Sequence, residues 1–181
     1  LDKYEDLAAG LGSVVQLSPA HRAGTPLWCI HPVSGLVNDY RPLGRDLPTP
    51  VFGLQMPGLD DVSAPHLTTI EAIAAAHVDT LKRRQPNGPY RLLGWSLGAV
   101  LAHEMTKQLT AAGDSVDLLV LLDPRMEPDM QPAAGMDETL ERSLRAIDAA
   151  RFEQYRIRCE EAIAAAAAYK PDVAAPRSTI I

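Results

Sequence analysis

A single α/β domain built on a mostly parallel sheet is the architecture this sequence predicts, and three observations predict it. Short apolar runs bounded by turn residues recur along the chain, helical patterns fall between several of them, and one run is apolar without alternation. Strands that alternate with helices pair in parallel, and helices on both faces of the sheet remove the need for a polar face. The runs Val14 to Leu17, Leu27 to Ile30, Val51 to Leu54, Tyr90 to Leu93 and Leu118 to Leu122 read as strands, with a last one starting at Ser178. Leu118 to Leu122 suits a central strand buried on both faces.

The clearest helical patterns are Leu67 to Arg84 and Leu97 to Ala112. Thr68 with Glu71 forms a capping box for the first, and Gly113 closes the second as a glycine just past a helix end. After Asp123 the character changes. Pro124, Pro128, Pro132 and Gly135 make a breaker-rich connection, followed by helical patterns near Asp137 to Ala149 and Arg151 to Tyr169. This insertion reads either as a lid that shapes a cleft or as plain helical packing on the sheet.

With 181 residues, 46% hydrophobic and 22% charged, the chain is sized for one well-cored domain. A net charge of −6 without a Lys/Arg cluster argues against nucleic acid or an anionic membrane as the main partner. Asp2, Lys3, Glu5 and Asp6 precede any apolar run, so no signal peptide is visible and the chain reads as cytoplasmic. Cys29 and Cys159 belong to no metal or CxxC pattern and read as reduced packing residues; no metal is expected.

The stretch from Tyr90 to Val100 delivers a serine between two glycines straight from a strand into a helix. That is the nucleophile elbow of an α/β-hydrolase, with Ser96 as nucleophile and Gly94 and Gly98 where a side chain would collide with the neighbouring strand or helix. Strain in so tight a turn would lift the Ser96 hydroxyl into the open. A turn serine without chemistry is the alternative. Acyl transfer by serine also needs a base, a carboxylate that orients it, and two N–H groups for the oxyanion. In this fold the order is serine, acid, histidine. Asp123 ends the strand after the elbow helix, where a parallel sheet gathers its chemistry, although an Asp-Pro turn or an acid after the next strand remains open. One oxyanion donor would be the Leu97 N–H. The other belongs to the loop His31-Pro32-Val33-Ser34-Gly35, where Pro32 has no N–H and Val33 is the better candidate, against a bland strand-to-helix turn.

Leu27 to Gly35, then Val51 to Gly58, then Gly88 to Gly98 together resemble the terminal (type I) thioesterase domain of nonribosomal peptide synthetases, over nearly the whole chain. The resemblance implies an α/β-hydrolase core and a mobile helical lid between the sixth and seventh strands. One thioesterase domain would span 1–181, with its core at 12–125, the lid at 126–175 and a further strand opening at 178–181. It implies that a peptidyl or depsipeptidyl chain passes from the phosphopantetheine thioester of a peptidyl carrier domain of the same synthetase onto Ser96, and leaves by hydrolysis or macrocyclisation. Ser96 and Asp123 would be catalytic, Val33 and Leu97 the oxyanion donors. No cofactor is expected to be bound by the domain itself, and an excised domain would be a monomer.

One departure is plain. All five histidines, His21, His31, His66, His77 and His103, precede Asp123. His103 lies about 10 Å from Ser96 along a helix rising about 1.5 Å per residue, too far to act as its base. His31 could approach the site, but the resemblance gives its His-Pro pair a loop-shaping role; His21, His66 and His77 read as solvated. The C-terminal strands, helix and histidine are therefore expected beyond Ile181, since a sheet ending within a strand would leave an open edge; a remnant domain without turnover is the other explanation. Two further readings stay open: a type II editing thioesterase or general esterase, and a noncatalytic module that holds a carrier domain.

Overall fold

The computed structural model of the chain describes residues 12–61, 63–124, 149–171 and 179–180. The strands are β1 (Val14–Gln16), β2 (Leu27–Ile30), β3 (Val51–Leu54), β4 (Tyr90–Trp95), β5 (Val116–Leu122) and β6 (Thr179–Ile180). The helices are α1 (Arg41–Asp46), entered through a 3₁₀ turn at Asn38–Tyr40, then α2 (Ile70–Arg84), α3 (Leu97–Ala111) and α4 (Ala149–Ala168). The sheet runs β1-β3-β2-β4-β5-β6, with β1 antiparallel to β3 and every other pair parallel. The expected helix near Asp137 to Ala149 lies outside the described residues except for its last position, as does most of the connection after Pro124.

Parity along the strands divides the core. Trp28, Ile30, Leu92, Leu119 and Leu121 face one side and pack with α2, α3 and α4. Leu27, Cys29, Leu93, Val120 and Leu122 face the other, with Val37, Tyr40, Leu43 and Leu47 from the α1 segment. The chain leaves β2 toward the α1 face and leaves β4 toward the α3 face. Strand order reverses between these neighbours, and such a switch point opens a crevice at the carboxyl ends of the strands.

Three expectations need correction. Helix α2 begins at Ile70, and its cap is Thr69, whose Oγ1 accepts the Ala72 N–H at 3.1 Å. The Thr68/Glu71 box is one residue out of register because the buried stripe Ile70, Ile73, Ala74, His77, Leu81 sets where the helix starts. β5 is not buried on both faces: Leu119 and Leu121 are buried, but Leu118 is 38% exposed and Val120 and Leu122 are half-buried. Among the described residues the α1 segment is what packs on that face, and it reaches Val120 and Leu122 only in part. His77, read as solvated, is buried at 2% because it occupies the core stripe of α2.

Gly113 does close α3. At φ +84 it donates to Thr110 O while Asp114 N–H returns to Leu109 O, the paired bonds of a Schellman ending. α4 lies against α2 and α3 with Phe152, Tyr155, Cys159, Ala162, Ala165 and Ala166 buried. Cys29 and Cys159 are free and buried, and burial pushes both thiols up to about 12. No helix of the described residues is long and apolar enough to cross a membrane.

Candidate active site

Ser96 sits between β4 and α3 at φ 56, ψ −123, a backbone that L side chains rarely adopt. Two close approaches force it. A Cβ on Gly94 would lie 1.9 Å from the Gly98 carbonyl oxygen, and one on Gly98 would lie 2.3 Å from Ile30 O and 2.8 Å from His31 O. Strand and helix can therefore meet at this angle only with glycine at both positions. The Ser96 hydroxyl caps no helix N–H. It is less open than its strain alone implies: the residue keeps 9% of its surface, because the elbow is wedged between its neighbours at the strand ends.

On one side the Ser96 N–H donates to Leu122 O at 2.9 Å, extending the β4–β5 ladder by one step. Asp123 follows Leu122 directly, at φ 43. On the other side lies β2, whose register pairs Ile30 with Gly94. His31 N–H donates to Leu54 O at 3.1 Å, and the chain turns through Pro32 to Gly35, whose N–H returns to Pro32 O at 2.9 Å. The Val33 N–H takes no part in that turn, and the Leu97 N–H, in the first turn of α3, has no intrahelical acceptor. The elbow, the Val33 loop and Asp123 are thus carried by the ends of three adjacent strands.

Histidine is not delivered there by the residues first considered. His31 is wholly buried. Its Nδ1 lies 2.8 Å from Pro32 O, a pure acceptor, so Nδ1 carries the proton. Burial lowers its pKa from 6.5 to about 4, outweighing that hydrogen bond. An imidazole so weakly basic, aimed at its own loop, shapes the loop. His77 packs against it with ring centroids 5.1 Å apart, lowered well below 6.5 by burial and by His31. His66 pairs at the surface with Glu161 at 2.7 Å, His21 is exposed, and His103 sits on α3, half-buried and lowered by burial.

Sequence reasoning passed over two tyrosines. Tyr40, 4% exposed, donates to Ile30 O at 2.9 Å and accepts the Trp95 N–H at 2.9 Å, bridging β2 and β4 where both end. Burial raises its pKa, opposing the Trp95 amide, so it remains a phenol. Pro42, in the first turn of α1, was the available signal for an element there. Tyr155 of α4 donates to the Ser34 carbonyl in the Val33 loop. No group of three or more His, Cys, Asp or Glu among the described residues could hold a metal ion.

A serine at positive φ between a parallel strand and the following helix, at the switch point of such a sheet, defines an α/β-hydrolase. Residues 25–172 match the thioesterase domain family, and the chain belongs to that family. It is 41% identical over 101 residues to a dimodular nonribosomal peptide synthase of Bacillus subtilis, covering 54% of this chain and 4% of that protein. The NocB thioesterase domain from the nocardicin cluster superposes with a TM-score of 0.73 at 31% identity, covering 93% of this chain and 74% of that one. The type II thioesterase BorB from the borrelidin biosynthetic cluster gives 0.62 at 26% identity, covering 88% and 69%. The chain spans 13%, 2% and 2% of the length of the first three curated relatives it matches.

Proposed function

We propose that the chain is a chain-terminating thioesterase domain, taking a peptidyl or depsipeptidyl group from a carrier-bound phosphopantetheine thioester onto Ser96 and releasing it by macrocyclisation or hydrolysis. The observation that carries this reading is the strained Ser96 elbow set between the Val33 loop and Asp123, in a chain of this family. The Ser96 oxygen bonds to the thioester carbon as its proton passes to a base. The Val33 and Leu97 N–H groups hold the oxyanion, and the thiol leaves with a proton. Water, or an amine or hydroxyl of the acyl chain itself, then attacks the ester. Asp123 orients the base in this scheme. None of the five histidines in the sequence meets the requirement for that base, and the reading calls for a histidine after Asp123 in chain order. Of the segment expected as a lid, helix α4 is the described part, and in this scheme it borders the cleft.

The likeness to BorB favours a second reading, a type II thioesterase that clears carrier domains of short acyl groups. One experiment separates the two. Full-length protein and its Ser96→Ala variant are incubated with peptidyl-loaded carrier domain and with short acyl thioesters, and the acyl-enzyme is followed by intact mass. Faster acylation by the peptidyl carrier, lost in the variant, is the expected result. Preference for short acyl groups would move the assignment to type II, and an adduct on Ser96→Ala would remove the nucleophile assignment altogether.

A further inference from the structure

Helix α4 reaches the loop that carries Val33 through the Tyr155 side chain. The end of β3 and the chain just after it hold that loop at two points, where His31 N–H donates to Leu54 O and Met56 N–H donates to Gly35 O at 2.9 Å. A third tie is internal, with Pro32 O accepting from both Gly35 N–H and His31 Nδ1. The Ser34 carbonyl, next to Val33, is held instead from outside the sheet, by the Tyr155 hydroxyl.

Tyr155 is suited to transmit position. It is 5% exposed, its ring lies 6.4 Å from that of Phe152, and burial keeps its hydroxyl protonated. α4 is in turn fastened to the body along its length. Buried Arg158 donates to Ala64 O at 2.7 Å and Pro65 O at 3.2 Å, and just past the helix end Tyr169 donates to buried Glu104 of α3 at 2.6 Å. Where α4 sits therefore determines where the Tyr155 hydroxyl sits.

We infer that Tyr155 is a positioning residue for acyl transfer: by fastening Ser34 it fixes the Pro32–Gly35 turn and with it the Val33 N–H, so the oxyanion site is complete only while α4 is docked. The inference rests on the roles proposed above for Ser96 and Val33. It makes the docking of one helix a condition of chemistry at a loop more than a hundred positions earlier in the chain, through a contact at a separation of 121.

Tyr155→Phe in the full-length protein tests this, because it keeps the buried ring and removes only the hydroxyl. Rates are normalised to the number of Ser96 sites titrated by a fluorophosphonate. The expected result is a kcat per site lowered about 10-fold with KM changed less than about twofold, the size of one lost hydrogen bond acting on the transition state. Amide hydrogen exchange over residues 33–36 should quicken by a similar factor while β2 and β4 keep their protection. A purely structural role would reduce the number of titratable sites and leave kcat per site unchanged. The inference needs both changes, so the absence of either overturns it, as does a loss of protection throughout the sheet. Failure of the underlying reading looks different: wild-type protein would then carry its fluorophosphonate adduct elsewhere, and Ser96→Ala would still be labelled.

Discussion

Tyr40 accepts the Trp95 amide proton at 2.9 Å, one residue before the strained serine, while its own proton goes to Ile30 one residue before the His31 loop. A single oxygen thus joins the two strand ends where their ladder stops. Tyr40→Phe leaves a part-buried N–H and a buried C=O without this partner, which costs about 1–3 kcal/mol. Urea denaturation should record that loss. kcat should fall more than KM rises, and an unchanged kcat would show that the bridge serves the fold alone.

Acid should weaken the protein through His31 and His77. Burial lowers His31 to about 4 and His77 well below 6.5, so both stay neutral in the fold while the unfolded chain takes up protons near 6.5. The unfolded state binds more protons in that window. Stability is therefore complete above about pH 6.5 and falls as pH drops toward 4, by about 1.4 kcal/mol per pH unit for each imidazole that must stay neutral. The urea midpoint measured from about pH 7.5 to 4.5 should slope downward, and His77→Phe should flatten the slope. A flat wild-type profile would sink this account.

Strain at Ser96 sets stability against chemistry. With φ at 56 the position favours glycine. Ser96→Gly should raise stability by about 1 kcal/mol, strain relief exceeding the added chain entropy, and abolish labelling by a fluorophosphonate. Thermal denaturation beside a labelling gel checks both. A less stable variant would mean that the serine is held by contacts that outweigh its backbone.

Gly98 and Gly113 separate crowding from backbone preference. An alanine Cβ at 98 meets two backbone carbonyls, neither of which can rotate away. Gly98→Ala should cost about 3 kcal/mol or more and lower labelling. Gly113→Ala meets nothing within 4 Å but must take φ +84, and should cost about 1 kcal/mol with labelling intact. Equal costs at the two positions would contradict the close packing of elbow and loop.

Features coded locally were legible in the sequence. β2 and β3 fall on the expected residues, β4 and α3 meet at Ser96 as the glycine spacing implies, and Gly113 ends its helix. Features that depend on distant partners were not. Tyr40 has meaning only once Ile30 and Trp95 stand on either side of it, and Tyr155 only once α4 is folded back on the loop. Burial of β5 was overread because an apolar strand sequence does not say how far a covering segment extends. His77 could have been recognised, since it falls on the stripe with Ile70, Ile73, Ala74 and Leu81, but a histidine among alanines was read by type instead of spacing.

The contact of Gly98 with Ile30 and His31 is backbone against backbone, with no side chain between. Such a joint has no part that can be resized by substitution, so the end of the sheet that bears the serine acts as a die of fixed dimensions. Descendants of this chain that come to handle a bulkier or slimmer acyl group can do so only by redrawing what faces the die. The record of what each one makes should accordingly be sought in the residues opposite Ser96, and its own surroundings should look alike in all of them.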